Sequence, residues 1–234
     1  MDGQFDLAGD QAHHAINVMR YQVGDQIVIF DGRGTEHDAE IESLTKKQLT
    51  ARLLDTRKLD RSSARRVTIA ASLPKGDRQK FLIEKLVELD VARLIPLATT
   101  RSVAEVKPKV IARIEKQVIE ASKQCGRNFL MQVAPQVSVS QLCKTGAEDR
   151  SPSMEDTVKL LAHPYDSQPL SKLSLFPDQA VAIAIGPEGG FTDDECASLL
   201  DAGWQPISLG PTILRIETAA IAAATIFGIG STSN

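Results

Sequence analysis

The stretch Val181-Ala182-Ile183-Ala184-Ile185-Gly186-Pro187-Glu188-Gly189-Gly190-Phe191 is followed by a second of the same build, Ile207-Ser208-Leu209-Gly210-Pro211-Thr212-Ile213-Leu214-Arg215-Ile216-Glu217-Thr218-Ala219. Together they decide the fold. Each is a short apolar, β-branched strand that runs into a Gly/Pro loop, with a helix beginning just beyond. In open α/β sheets the loops at the carboxyl ends of strands form the ligand crevice, so two such loops imply one shared pocket.

The chemistry of the first loop narrows the ligand. It lacks the Gly-Lys-Ser/Thr of a Walker loop and the G-x-G-x-x-G of a dinucleotide site. Glu188 sets a carboxylate where a phosphate would need bare N–H groups, so the expected ligand is neutral or cationic. A ligand with hydroxyls and an adenine-like ring fits, its polar edges bonded by loop backbone and its ring packed on Leu209, Ile213 and Leu214. No G-x-S-x-G elbow occurs, and the four histidines form no pattern with Ser or Cys. An enzyme of this kind takes its reactive atom from a cofactor, with Arg127, Arg215 and Glu217 as the ionisable residues placed near the chemistry.

Upstream the rhythm changes. From Gln26 the chain reads as closely spaced strands and turns: Gln26–Phe30, Asp31-Gly32-Arg33-Gly34, Glu36–Leu44, a Thr45–Lys47 turn, and Gln48–Asp55, a pattern that predicts a small β-barrel or sandwich. Arg57–Arg66 reads as a basic linker. Strands then alternate with helices: a strand over Arg66–Leu73, a helix capped by Asp77 and running to about Asp90, and a strand over Arg93–Leu97. Pro108 opens a helix whose Val110, Ile111, Ile114, Val118 and Ala121 share a face, and Gly126 ends it. Lys144–Thr157 reads as an exposed loop, and Lys159–His163 and Gln179–Ile185 as strands. Thr192-Asp193-Asp194-Glu195 has capping-box form and starts a helix that Gly203 stops. The last helix, Ala219–Phe227, is apolar almost all round and is expected to be buried on every side, inside the fold or against a second subunit.

Composition excludes several classes. A chain of 234 residues with 42% hydrophobic residues holds enough apolar material for a large core. The longest apolar run, residues 219–229, is too short to cross a bilayer, and the N-terminus shows no basic segment followed by an apolar one, so a cytoplasmic protein is expected. Cys125, Cys143 and Cys196 are far apart, which supports neither a disulfide framework nor a zinc site. The net charge of −3 conceals an asymmetry, because residues 1–135 hold 22 Lys/Arg against 18 Asp/Glu and residues 136–234 hold 5 against 12. The basic excess is densest from Arg52 to Lys85, a stripe suited to phosphate contacts with a polyanion.

These motifs, taken together, closely resemble the ribosomal RNA small subunit methyltransferase E family, within the SPOUT class of knotted methyltransferases. Further matches run along the chain: His14–Arg20 with Gly24-Asp25 and Asp31-Gly32-Arg33-Gly34, Lys75-Gly76-Asp77 with Glu84-Lys85 and Glu88-Leu89, Arg101-Ser102-Val103, and Glu120-Ala121 with Gln124 and Arg127. The resemblance implies an α/β fold: a PUA-like β-barrel for RNA over residues 1–64, then a trefoil-knotted SPOUT domain over 65–234 that binds S-adenosylmethionine and pairs as a homodimer. The implied reaction is methylation of N3 of a uridine in 16S ribosomal RNA, with no metal and no membrane partner. The implied cofactor residues are Leu161, His163, Ile185, Gly186, Pro187, Glu188, Gly189, Gly190, Leu209, Gly210, Ile213, Leu214, Thr218 and Ala219. Arg127, Arg215 and Glu217 form the catalytic set, and Arg20, Arg33, Arg65, Arg66, Lys75, Arg78 and Arg101 the RNA contacts. Two alternatives stand beside this reading, a ribose 2′-O methyltransferase and an RNA-binding protein with a degenerate cofactor pocket. The chain departs from the family pattern at Asp90 (usually Gly), Cys125 (usually Ser), Thr212 (usually Arg) and Ile216 (usually Thr). It also lacks the family's N-terminal Arg-Phe-Phe strand, so the first barrel strand is expected to be absent or altered.

Overall fold

Alternation in Val181–Ile185 sets the architecture: Val181, Ile183 and Ile185 point to one apolar layer, Ala182 and Ala184 to another, and all five are buried. A strand buried on both faces belongs at the centre of a helix-covered parallel sheet. The computed structural model describes residues 3–45, 47–63, 65–102, 105–144, 157–163, 168–169, 173, 175–176 and 178–228. The chain divides into two compact units, Met1–Arg61 and Ser62–Asn234, three residues ahead of the expected seam.

In the N-terminal unit, β1 (Gln4–Ala8) leads through α1 (Gly9–His13) and a π-helical turn (His14–Val18) to β2 (Gln26–Phe30), β3 (Thr35–Leu44) and β4 (Gln48–Lys58). The strands form an antiparallel sheet in the order β1-β4-β3-β2. Ala39, Ile41, Leu49 and Ala51 bury its inner face together with Ala15. Asp31 shapes the β2–β3 turn, its Oδ1 accepting from the backbone N–H of Arg33 at 2.7 Å and of Thr35 at 3.0 Å. Those bonds hold its carboxyl below the usual carboxylate value. The first strand is present after all: Gln4–Ala8 pairs in register with β4, from Gln4 opposite Arg52 to Ala8 opposite Gln48. No Arg-Phe-Phe segment is needed, because a strand on an antiparallel edge needs only extended backbone and one apolar face.

Strand β4 also runs further than expected, to Lys58, which removes residues 57 and 58 from the linker. Cross-strand charge explains the extension. Arg57 donates to both carboxylate oxygens of Asp38 at 2.8 Å, Arg61 lies 2.7 Å from the buried Glu36, and Arg52 meets Glu40 and Glu42. The acids that offset these cations are on β3, so a count along the sequence overstates the basic excess.

The C-terminal unit contains β5 (Val67–Ala71), α2 (Asp77–Glu88), β6 (Arg93–Ala98), α3 (Pro108–Cys125), β7 (Gln132–Val133), β8 (Val137–Ser138), α4 (Val139–Lys144), β9 (Val158–Ala162), β10 (Gln168–Pro169), β11 (Val181–Ile185), α5 (Asp193–Asp201), β12 (Gln205–Ser208) and α6 (Ile216–Gly228). Its sheet runs β10-β12-β9-β11-β5-β6-β7, with β8 also on β6, and every pairing among the described residues is parallel. One face packs on α2, α3 and α6 through Leu82, Leu86, Ile114, Val118, Ala220 and Ala224. The other carries Val139 and Leu142 of α4, Leu199 of α5, and Trp204.

Local rules account for most helix ends. Thr192 and Glu195 form the expected capping box, and Pro108 and Gly126 bound α3. Two expectations need correction. Asp77 is the first residue of α2 and not its cap, which is Gly76 with no side-chain bond. The last helix starts at Ile216, three residues early, because Ile216 is itself core. Within the single chain Ala219, Ala220, Ala223, Ala224 and Phe227 are buried in the core, while Thr218, Thr225 and Ile226 are exposed, so of the two expected covers the fold itself supplies only part. Of the loop expected over 144–157, residues 145–156 lie outside the described residues.

Candidate active site

The strand order places the two glycine loops. From β9 the chain goes out to β10 at the sheet edge, returns to β11 on the opposite side of β9, and then passes to β12 between β9 and β10, so the connections reverse direction across β9, a topological switch point. The loop after β11 and the loop after β12 therefore straddle the end of β9 at His163, whose N–H donates to the Ile207 carbonyl at 3.0 Å. A crevice is expected at such a point. Of the predicted cofactor residues, the structure brings His163, Gly186–Gly190, Leu209, Gly210, Ile213 and Leu214 to these strand ends.

Two glycines in the first loop have definite work. A β-carbon on Gly186 would lie 3.1 Å and 3.2 Å from the Phe191 ring and 3.2 Å from its backbone nitrogen, so a side chain there would require Phe191 to give way by a few tenths of an ångström. Gly190 sits at φ 70° and its N–H closes a turn on the Pro187 carbonyl at 2.8 Å. Gly189 is exposed, and a β-carbon there would approach the Arg101 side chain. Leu209 and Leu214 are half-buried against the helical layer, whereas Ile213 is 72% exposed. Leu161, Ile185 and Ala219 are core residues, Leu161 in the layer with Trp204 and the other two in the helical layer. Thr218 is exposed on the first turn of α6.

Several residues assigned to RNA or catalysis have other work. Arg101 donates to the carbonyls of Gly189 at 2.6 Å and Phe191 at 3.3 Å, while the Thr100 N–H and hydroxyl bond Glu195. The segment after β6 thus fastens the first glycine loop. Arg65 is buried, its guanidinium donating to the Phe176 and Phe227 carbonyls, so it is withdrawn as a phosphate contact. Arg20, Arg33, Arg66 and Lys75 are exposed.

Arg127 is the largest correction. Its side chain is 10% exposed; Nε donates to the Phe129 carbonyl at 2.6 Å, Nη1 to Val87 at 3.1 Å and Nη2 to Val91 at 2.8 Å. Burial lowers its affinity for its proton, and Asp90, 3.1 Å away, counters this. A guanidinium committed to three carbonyls has little left for a substrate. It ties the turn after α2 to the turn after α3. Asp90, where the family has glycine, adopts the glycine-like φ of 55° and uses its carboxylate to hold both Arg127 and the Ser63 N–H at 2.6 Å. Nothing in the spacing of the sequence signals this pairing.

The remaining charges converge. Arg78, on the first turn of α2, donates to Glu188 Oε1 at 2.8 Å and lies 3.6 Å from Glu217 Oε1. Glu217, on the first turn of α6, is 8% exposed, and its Oε2 is buried without a hydrogen-bond partner. The Arg78 bond, with help from its own backbone N–H and from Arg215, holds the Glu188 carboxyl below the usual carboxylate value. Glu188 is therefore an anion at neutral pH, which supports a non-phosphate ligand at this loop. Arg215 is exposed just before α6. Glu217 lies inside α6 and not in the loop ahead of it, where a helix starting at Ala219 would have left it. Among the described residues no group of His, Cys, Asp and Glu is arranged to hold a metal, and no helix is long and apolar enough to cross a membrane.

Comparison with known proteins supplies the family. Residues 61–228 match the RNA methyltransferase domain and residues 7–54 the RNA methyltransferase PUA domain. The chain is 31% identical over 231 residues to ribosomal RNA small subunit methyltransferase E of Bacillus subtilis, covering 94% of this chain and 87% of that one. It is 33% identical over 217 residues to the Synechocystis protein of the same name, covering 91% and 69%. Among solved structures, that of ribosomal RNA small subunit methyltransferase E from Neisseria gonorrhoeae, bound to S-adenosyl methionine, superposes with a TM-score of 0.85 at 32% identity over 96% of this chain and 91% of that one. A Legionella pneumophila methyltransferase with bound SAM gives 0.87 at 32% identity, covering 97% and 91%. With both of its units matched and the residues of its crevice in order, the chain belongs to the ribosomal RNA small subunit methyltransferase E family.

Proposed function

We propose that this protein uses S-adenosylmethionine to methylate N3 of a uridine in 16S ribosomal RNA. One observation carries the reading: two glycine loops straddle β9 at the switch point of a parallel sheet, with the buried carboxylate of Glu217 beside them. The fit of the cofactor rests on the same geometry. Leu209 and Leu214 offer half-buried apolar surface, the Gly186–Gly190 and Leu209–Gly210 backbone offers polar edges, and Glu188 offers a carboxylate suited to a cation. When bound, the cofactor supplies an electrophilic methyl group on a sulfonium.

The chain's own residues do the rest. Uridine N3 carries a proton near neutral pH and becomes nucleophilic only when that proton leaves. The Glu217 carboxylate, its side chain 11% exposed, is the acceptor for it, directly or through a water. Arg215, exposed at the crevice, hydrogen-bonds a uracil carbonyl and stabilises the anion that develops. A side chain already spent on backbone carbonyls, such as Arg127, is left out of the chemistry.

The same reading extends to assembly. The N-terminal antiparallel sheet closes as a PUA-like barrel that binds RNA, with Arg20, Arg33, Arg66 and Lys75 as exposed contacts. The return of the chain from β11 past β9 to β12, followed by α6 on the helical face, supports a trefoil knot. The exposed face of α6 with Ile226 supports a homodimer. Transfer of labelled methyl to small-subunit RNA tests the function. Wild type transfers it, Glu217→Gln transfers it at least tenfold more slowly with S-adenosylmethionine affinity retained, and equal rates for the two would remove Glu217 from the mechanism.

A further inference from the structure

Lys75-Gly76-Asp77-Arg78 stands out in the sequence, where the resemblance makes Arg78 one RNA contact among several, and the function as argued gives it no role. Its surroundings say otherwise. Arg78 projects from the first turn of α2 between the two walls of the crevice, donating to Glu188 of the loop after β11 at 2.8 Å and lying 3.6 Å from Glu217 at the start of α6. Its two carboxylate partners differ in exposure, since the Glu188 side chain is half exposed and the Glu217 side chain only 11% exposed. A carboxylate so withdrawn from water is costly to keep charged without a counter-charge beside it.

We propose that Arg78 is a positioning residue of the methyl-transfer site, which fixes the Glu217 carboxylate through Oε1 and joins it to the glycine loop through Glu188. This rests on the proposed role of Glu217. The geometry suits arginine in particular. A guanidinium presents several donors in a rigid fork and can serve two carboxylates at once, whereas a lysine ammonium is a compact point charge on a flexible stem. Oε2 is buried without a hydrogen-bond partner, so the contact of Oε1 with Arg78 is what sets the direction in which the carboxylate meets a substrate proton. An arginine so engaged contributes little to RNA phosphate binding, although 40% of its side chain is exposed.

The test uses the full chain and small-subunit RNA, with four measurements on each variant: single-turnover methyl transfer at saturating cofactor and RNA, S-adenosylmethionine affinity, the salt dependence of RNA binding, and thermal stability. Arg78→Met should slow transfer by roughly 10- to 100-fold, and Arg78→Lys should recover part of the rate. Added to Glu217→Gln, Arg78→Met should slow transfer by no more than about twofold further, because two residues acting through one carboxylate are not additive. The salt slope of RNA binding should stay at the wild-type value. A normal saturating rate with a salt slope reduced by about one would make Arg78 a phosphate contact and overturn the proposal. So would a lower melting temperature with a normal rate in the folded fraction of both variants. A wild-type protein that transfers no methyl group to the RNA would instead refute the enzymatic reading, and this inference with it.

Discussion

Replacing Arg127 by methionine separates a structural arginine from a catalytic one. The change removes three hydrogen bonds to the carbonyls of Val87, Val91 and Phe129 and leaves Asp90, 23% exposed, without its ion-pair partner. Hydrogen bonds to a charged group contribute about 1.5–3 kcal/mol each, but these three share one guanidinium and do not add. Loss of one member of a buried ion pair costs about 3–5 kcal/mol, and methionine restores some packing, so a loss of about 3–4 kcal/mol follows. For a unit of this size each kcal/mol moves the midpoint by about 2–4 °C, which gives a fall of roughly 6–16 °C. Calorimetric melting measures it, and single-turnover methylation well below the new midpoint should stay within about threefold of wild type. A variant that melts within about 2 °C of wild type yet transfers methyl a hundredfold more slowly would refute the structural assignment.

Asp90→Gly restores the family's usual residue and relieves a left-handed backbone by about 1 kcal/mol, but it gives up the Ser63 bond and the Arg127 pair, so urea unfolding should show a net loss of about 1–3 kcal/mol. A variant more stable than wild type would contradict this. Gly186→Ala drives a β-carbon against Phe191 and should weaken S-adenosylmethionine binding at least tenfold by calorimetry, whereas Gly189→Ala, which meets only the flexible Arg101 side chain, should stay within about threefold; the reverse order would move the pocket. Burial tends to raise the Glu195 carboxyl, but bonds from Thr192 and Thr100 outweigh it and hold it below its usual value. Its contribution is therefore complete above the ordinary carboxylate range and lost as pH falls through the depressed value, so Glu195→Gln should flatten the acid limb of stability against pH, and an unchanged limb would remove Glu195 as its source.

The parallel sheet and its two loops were legible in Val181–Phe191 and Ile207–Ala219, because a strand buried on both faces must be apolar throughout and its loop must carry the glycines. The capping box at Thr192 was legible for the same local reason. Side-chain pairing was not. Arg65, Arg78, Arg101 and Arg127 look alike in a charge count, yet one is buried on carbonyls, one bridges two carboxylates, one fastens a loop and one clamps two turns. Apart from Phe129, two residues from Arg127, their partners lie 36 to 162 residues away, beyond any local pattern. Asp90 shows the limit from the other side. Its departure from glycine was visible, but its left-handed backbone and its two partners exist only in the folded chain.

Nucleoside mass spectrometry of small-subunit RNA tests the central claim most directly. RNA from cells lacking the enzyme is incubated with the purified protein and methyl-labelled S-adenosylmethionine, digested to nucleosides, and compared with RNA treated with Glu217→Gln. The label is predicted in 3-methyluridine, at a yield the variant reduces at least tenfold. Label in a ribose-methylated nucleoside, or none in RNA from a protein that binds the cofactor, would contradict the account.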